Sequence, residues 1–279
     1  MDFIQKRFYF YFLSLFLVIF GALSFYIFNP NLGIDLVGGQ ILEVKTKANV
    51  PTIIEKLNFK VNLYPTEEGY LIKSRENLNV LWQEIQKEDK ESQKIKFESI
   101  SPSLSAELRK KAGLMVILVL LAIGTYVTIA FYKLKRQFSI FDLGFIVVIT
   151  LFHDVMATTG FYVLLSKFFN FDLDIKFITA LLIIAGFSVH DTIVVLDRLR
   201  ENILKTGKKT KEIFNSSIQQ TLRRSIFTSF TTILSILPLS VLIFDLRPFL
   251  LSIQIGIVIG TYSSIFLSLP FLFETKRDI

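Results

Sequence analysis

Residues 177–196 read FITALLIIAGFSVHDTIVVL, an apolar run in which His190 and Asp191 are the only ionisable side chains. An α-helix of this length rises about 30 Å, which matches the hydrocarbon core of a bilayer. Five further runs are long and apolar enough to cross a membrane, at residues 8–28, 113–132, 140–165, 225–244 and 249–273. The sequence therefore predicts a multi-pass α-helical membrane protein with six transmembrane helices.

The composition agrees with a membrane protein and argues against several other classes. Of 279 residues, 52% are hydrophobic and only 20% are charged, whereas a soluble domain of this size carries more charge. The chain has no Cys and two His, which excludes a disulfide framework and argues against a metal centre. No nucleophile triad or phosphate loop is present, so we expect neither an enzyme nor a cofactor.

The basic residues indicate the orientation of the chain in the membrane. The net charge of +7 is compatible with nucleic-acid binding, but outside residues 33–111 the basic residues lie mostly at the ends of apolar runs. The positive-inside rule then puts both termini in the cytoplasm. The first run exceeds the usual length of a signal-peptide core, so we interpret it as a span and not as a cleaved signal. The loops on the cytoplasmic side contain Lys6, Arg7, Lys133, Lys135, Arg136, Arg198, Arg200, Lys205, Lys208, Lys209, Lys211, Arg223, Arg224, Lys276 and Arg277.

A small soluble domain follows the first span. We predict three parts: residues 1–32 with the first span, an external α+β domain at 33–111, and a five-helix membrane domain at 112–279. Within the external domain, strand patterns lie at 40–46, 60–64, 69–73 and 94–100, and helical patterns lie at 52–57 and 76–87. The resulting order β-α-β-β-α-β predicts a ferredoxin-like unit between helices 1 and 2.

Ionisable side chains inside the spans are the candidate functional residues, because they are costly in a bilayer and usually functional. The third span contains His153 and Asp154, and the fourth contains His190 and Asp191. Low dielectric disfavours a charged carboxylate, so such a group suits proton uptake and release. The alternative is a permanently paired structural ion. The proton-coupling candidates are Asp191, Asp154, His190, His153, Arg224 and Arg223.

Hydroxyl and small side chains near these groups have two interpretations. The fifth span opens with Arg223 and Arg224, which are counter-charges for Asp191 or ordinary positive-inside anchors. A hydroxyl stripe follows, with Thr228, Ser229 and Thr232 as its main members, and it serves the site or only bonds to its own helix or a neighbouring one. The residues predicted to allow close helix packing are Gly186, Gly256, Gly260 and Ser264.

Several of these motifs resemble the SecD/SecF protein-export family, over nearly the whole chain. The resemblance rests on GIDLVGG at 33–39, His153-Asp154, FSVHDTIVVLDRLREN at 187–202, QTLRRSIFTSFTT at 220–232 and GTYSSIF at 260–266. The form at 191–202 is that of the SecF branch. Two features depart from the pattern: His190 replaces a small polar residue, and SPSLSAEL at 101–108 lacks the glycines common there.

The resemblance implies half of an RND-type transporter in the bacterial inner membrane, with SecD supplying the other half. It implies a role in preprotein translocation driven by the proton motive force, with SecYEG, YajC, YidC and unfolded preproteins as further partners. It also implies that such a protein exchanges protons, is embedded in the lipid bilayer and does not bind nucleic acid. Gly33, Gly38 and Gly39 then act as a hinge, with a plain turn as the alternative. A proton-driven RND-type exporter of small molecules or lipids is the alternative function, although such a pump needs a second half.

Overall fold

The computed structural model describes residues 2–66, 68–132 and 138–275. Five basic residues used for the topology prediction, Lys133, Lys135, Arg136, Lys276 and Arg277, lie outside these ranges. Within them, six helices are long and apolar enough to cross a membrane, which confirms the predicted multi-pass architecture. In chain order the elements are α1 (Arg7–Phe28), α2 (Ile34–Val37), β1 (Gly39–Lys45), α3 (Val50–Leu57), β2 (Val61–Thr66), β3 (Gly69–Ser74), α4 (Leu78–Glu88), β4 (Gln93–Ile100), α5 (Pro102–Ala130), α6 (Ile140–Phe169), α7 (Ile175–Thr206), α8 (Lys211–Leu242), α9 (Arg247–Phe266) and α10 (Ser268–Glu274).

The soluble domain has the predicted ferredoxin-like fold. Its four strands form an antiparallel sheet in the order β2-β3-β1-β4, and α3 and α4 cover one face. Leu42, Val44 and Ile72 of the sheet pack against Leu81 and Ile85 of α4, and all five are fully buried. Alternating strand residues therefore supply one apolar face, as the period of two requires.

Helices α7 and α8 extend beyond the predicted spans. The fourth predicted span ends at residue 196 and the fifth begins at residue 225, whereas α7 continues to Thr206 and α8 begins at Lys211. In these extensions, Leu199 and Ile203 of α7 and Phe214 and Ile218 of α8 are buried in the same core cluster. The spacing of four residues places each pair on one helix face. These segments are amphipathic, so a search for continuous apolar runs does not detect them.

Helix α6 packs closely against its neighbours through glycines. A Cβ added at Gly21 of α1 would lie 2.1 Å from the Met156 carbonyl oxygen, and one at Gly160 would lie 2.7 Å from Gly21 Cα. A Cβ at Gly144 would similarly meet Thr128 of α5. Small residues permit this approach of helix backbones in a membrane. The sequence analysis did not single out these glycines.

The segment predicted as a hinge forms a tight turn. Gly38 and Gly39 have φ angles of +86° and +144°, which other residues rarely adopt. A Cβ at Gly38 would lie 3.0 Å from Pro102 Cα, and one at Gly39 would lie 2.4 Å from the Ser74 carbonyl oxygen. This geometry agrees with the turn interpretation, and hinge motion at these residues stays a prediction.

The chain divides into two compact units. One contains residues 2–31, 114–171 and 176–275 of the described chain, and the other contains 32–113 together with 172–175. The sequence analysis placed 172–175 in the membrane domain, because the residues between two spans were treated as a simple connection. The structure instead groups this short loop with the soluble domain.

Candidate functional site

Asp154 of α6 lies in a fully buried polar network. Its Oδ1 is 2.9 Å from Nδ1 of His153, and its Oδ2 accepts a hydrogen bond of 2.5 Å from the hydroxyl of Ser188 on α7. Asp154 and Ser188 have no exposed surface, and His153 is 3% exposed. A buried carboxylate needs hydrogen-bond partners, and each oxygen of Asp154 has one within the helix bundle.

Ser188 connects this network to α9. The Ser264 hydroxyl donates to the backbone oxygen of Ser188 at 2.9 Å, and the Thr192 hydroxyl donates to Ser264 Oγ at 2.9 Å. A Cβ added at Gly260 would lie 2.9 Å from Ser188 Cβ, closer than side chains normally approach. Gly260 therefore provides the space that lets Ser188 reach Asp154.

Asp191 lies one helical turn after Ser188 and has a different environment. It is 3% exposed, and its Oδ2 has no hydrogen-bond partner among the described residues. The hydroxyls of Ser225 on α8 and Thr261 on α9 face its carboxyl group. Ser225 is fully buried, and its Oγ also lacks a partner within the described chain. The two intramembrane carboxylates are therefore inequivalent.

The charged residues predicted beside Asp191 are arranged asymmetrically. The positive charge of Arg224 lies near enough to favour the ionised Asp191 carboxylate, and His190 is the neighbouring residue on α7. The Arg223 guanidinium instead lies 5.4 Å from the centre of the Phe227 ring. No ion pair joins Asp191 to either arginine in the part of the chain described here, so the alternative of a permanent structural pair has no contact at Asp191, whereas Asp154 has one with His153.

The hydroxyl stripe of α8 divides into two groups. Thr228 donates to the Arg224 carbonyl oxygen at 2.9 Å, and Thr232 donates to the Thr228 carbonyl oxygen at 2.8 Å. Ser229 instead bonds across to Thr261 of α9, next to Asp191. Ser229 thus bonds to a neighbouring helix, whereas Thr228 and Thr232 satisfy their own helix backbone, and a role of the stripe in the site stays a prediction.

The predicted packing residues also divide. A Cβ at Gly256 would lie 2.3 Å from Ile184 Cδ1, and Gly260 contacts Ser188, so both allow α9 to approach α7. Ser264 is buried and bonded to α7. Gly186 requires a correction: a Cβ there would meet nothing within 4 Å among the described residues, so the predicted close contact is absent.

Several site residues were not singled out from the sequence. Ser188, Thr192, Ser225 and Thr261 all lie within the family-like stretches, but hydroxyl residues on transmembrane helices are common and carry little individual signal. Tyr262 is a further member, because its ring centre lies 6.2 Å from that of His153 and its hydroxyl donates to the Phe10 carbonyl oxygen at 2.9 Å. Within the described residues, no three His, Cys, Asp or Glu side chains come together as metal ligands.

Comparison with known proteins identifies the family. The sequence model of the family "Protein export membrane protein SecD/SecF, C-terminal" matches residues 80–278 of this chain. Protein translocase subunit SecF of Thermobaculum terrenum is 33% identical over 95% of this chain and 90% of its own length. The corresponding subunit of Thermodesulfovibrio yellowstonii is 33% identical over 96% of this chain and 92% of its own length.

A solved structure agrees with the same assignment. The crystal structure of SecDF, a translocon-associated membrane protein from Thermus thermophilus, matches with a TM-score of 0.81 and 30% identity. The match covers 97% of this chain but only 38% of the SecDF chain. The protein belongs to the SecD/SecF family, which confirms the resemblance inferred from the sequence motifs.

Proposed function

We propose that this protein is an accessory subunit of the Sec translocase that uses the proton motive force to promote preprotein translocation across the inner membrane. The observation that carries the mechanism is the inequivalence of Asp154 and Asp191, two buried carboxylates on α6 and α7. Family membership supports the transport role, because the relatives are named as protein translocase subunits. In this proposal both termini are cytoplasmic, the soluble domain is external, and the protein is not an enzyme.

Asp191 is the proposed proton-exchanging group. An unsatisfied buried polar atom costs about 1–3 kcal/mol, and Asp191 Oδ2 and Ser225 Oγ are two such atoms in one place. A proton on Oδ2 would turn the carboxyl group into a donor, with the Ser225 hydroxyl as its natural acceptor. Loss of that proton would leave a negative charge, which attracts Arg224. The two states therefore favour different arrangements of α7, α8 and α9.

Asp154 plays a supporting part in this scheme. Its two hydrogen bonds hold it between α6 and α7, and Ser188 connects it to the helix that carries Asp191. A change in the position of α7 must therefore stretch or shorten the bond between Ser188 and Asp154. In this way the protonation of Asp191 biases the packing of several helices together.

A SecD subunit is the proposed partner. The chain covers 38% of the SecDF chain that it matches, and we propose that a SecD subunit supplies the counterpart of the remainder. SecYEG, YajC, YidC and unfolded preproteins are further proposed partners. Co-purification with a SecD-like subunit would support this assignment, whereas homo-oligomers with drug-efflux activity would favour an RND-type exporter.

The function is tested by substituting Asp191→Asn and measuring gradient-driven preprotein export by the complete translocase. We expect the variant to insert and assemble normally but to lose stimulation by the gradient. Asp197→Asn is a matched control on the same helix, because Asp197 is 54% exposed and forms a surface ion pair with Arg200. Normal stimulation in the Asp191→Asn variant would refute the coupling role.

A further inference from the structure

The loop between α6 and α7 makes a partly buried ion pair with the soluble domain. Lys73 Nζ of β3 lies 2.9 Å from Asp172 Oδ2, and the side chains of Lys73 and Asp172 are 22% and 3% exposed. The Tyr64 hydroxyl of β2 donates to the same oxygen at 3.3 Å, and the Lys73 ammonium lies 5.1 Å from the Tyr64 ring centre. Burial is the main cause that raises the pKa of Tyr64, and the negative charge of Asp172 is the second. The Tyr64 hydroxyl therefore keeps its proton and donates the hydrogen bond.

Backbone contacts hold the same loop from a second direction. The Gly33 N–H donates to the Leu173 carbonyl oxygen at 2.7 Å, and Leu32 and Leu173 form a parallel β-bridge. A Cβ added at Gly33 would lie 2.7 Å from Asp174 Cβ, so glycine is needed for this approach. The loop is therefore fixed both to the sheet and to the segment that follows α1.

Other ion pairs of the soluble domain are of a different kind. Lys47 and Glu91 are 3.7 Å apart with side chains 89% and 85% exposed, and Lys56 and Glu88 are also largely exposed. Exposed pairs of this sort contribute little, whereas removing one partner of a buried pair leaves an uncompensated charge. The burial of Asp172 marks its pair with Lys73 as a specific attachment point.

The position of the loop gives this attachment a mechanical consequence. Residues 170–174 are the whole connection between α6 and α7, the helices that carry Asp154 and Asp191. We propose that Lys73, Tyr64 and Asp172 form a clamp that passes displacement of these two helices to the soluble domain. This inference rests on the proposed function and adds the route by which proton exchange reaches the external domain. Lys73 and Asp172 are positioning residues in this proposal, because the proposed proton-exchanging group is Asp191.

The clamp is tested with Lys73→Met and Asp172→Asn in the complete translocase. The readout is the ratio of export rates with and without a proton gradient, measured beside the amount of assembled complex. We expect the stimulation by the gradient to be lost while gradient-independent export and assembly stay normal. Lys47→Met with Glu91→Gln is the matched control, and it should keep full stimulation.

The outcomes separate the clamp from the proposed function. Full stimulation in the Lys73 and Asp172 variants would overturn the clamp, as would equal loss of gradient-independent export and assembly, which indicates a purely structural role. If Asp191→Asn keeps full stimulation while the clamp variants lose it, the proton-coupling assignment fails and the clamp stands.

Discussion

Gly260→Ala tests whether close packing of α9 against α7 positions the carboxylate network. The new methyl group would lie 2.9 Å from Ser188 Cβ, which is not the end of a flexible side chain, so one of the two helices must move. Overpacking of this kind costs about 1–3 kcal/mol, while the higher helix propensity of Ala offsets about 1 kcal/mol. Gly186→Ala receives the propensity gain alone, because its Cβ meets nothing within 4 Å among the described residues.

The comparison of these two alanine variants isolates the packing contribution. The free energy of unfolding of Gly260→Ala should lie about 1–3 kcal/mol below that of Gly186→Ala, since the propensity effect cancels in the difference. Denaturant titration of the purified protein in one detergent measures both values. The shifted Ser188 should also weaken its 2.5 Å bond to Asp154, so gradient-driven export should fall in the Gly260 variant alone. Equal stability and equal export in the two variants would refute the reasoning.

Two further predictions concern charge. Arg224→Gln should reduce gradient-stimulated export and Arg223→Gln should not, because the Arg224 charge favours the ionised Asp191 carboxylate whereas the Arg223 guanidinium lies against the Phe227 ring. Export assays of equally assembled variants check this, and equal effects would contradict it. In the soluble domain, hydrogen bonds led by the Lys47 N–H hold the pKa of Asp89 below its ordinary value of 3.8. A depressed carboxyl pKa stabilises the fold above the ordinary pKa, and this contribution disappears as the pH falls through the lower folded value. Hydrogen-exchange protection of the Lys47 amide should therefore decrease on acidification, and this acid-dependent loss should be absent in Asp89→Asn.

Much of the fold follows from local patterns in the sequence. Six apolar runs predict six membrane-crossing helices, since a bilayer requires about 20 apolar residues for each helix. The strand and helix order at 33–111 predicts the ferredoxin-like unit, because few topologies connect β-α-β-β-α-β without crossings. The extensions of α7 and α8 are amphipathic and lie outside the bilayer-length runs, so their bounds required the structure.

The site was only partly predictable. Asp154 and Asp191 stand out because charge inside a span is rare and costly. Ser188 does not stand out, because its contacts are with Gly260 and Asp154, which lie on two other helices and far away in the sequence. The short loop around Asp172 is similarly unremarkable until folding brings it to Lys73, which lies 99 residues earlier. Gly186 shows the opposite case, since a small residue on a helix does not by itself specify a contact.

The most direct test of the central claim is whether Asp191 gains and loses a proton as the pH changes. Infrared difference spectroscopy of the membrane-embedded complex detects the carbonyl stretch of a protonated carboxyl group, and Asp191→Asn identifies the band. The account predicts a band that appears and disappears between the pH values of the two sides of the membrane and is absent from the variant. A spectrum that is identical in both proteins at each pH, with Asp191 ionised throughout, would contradict it.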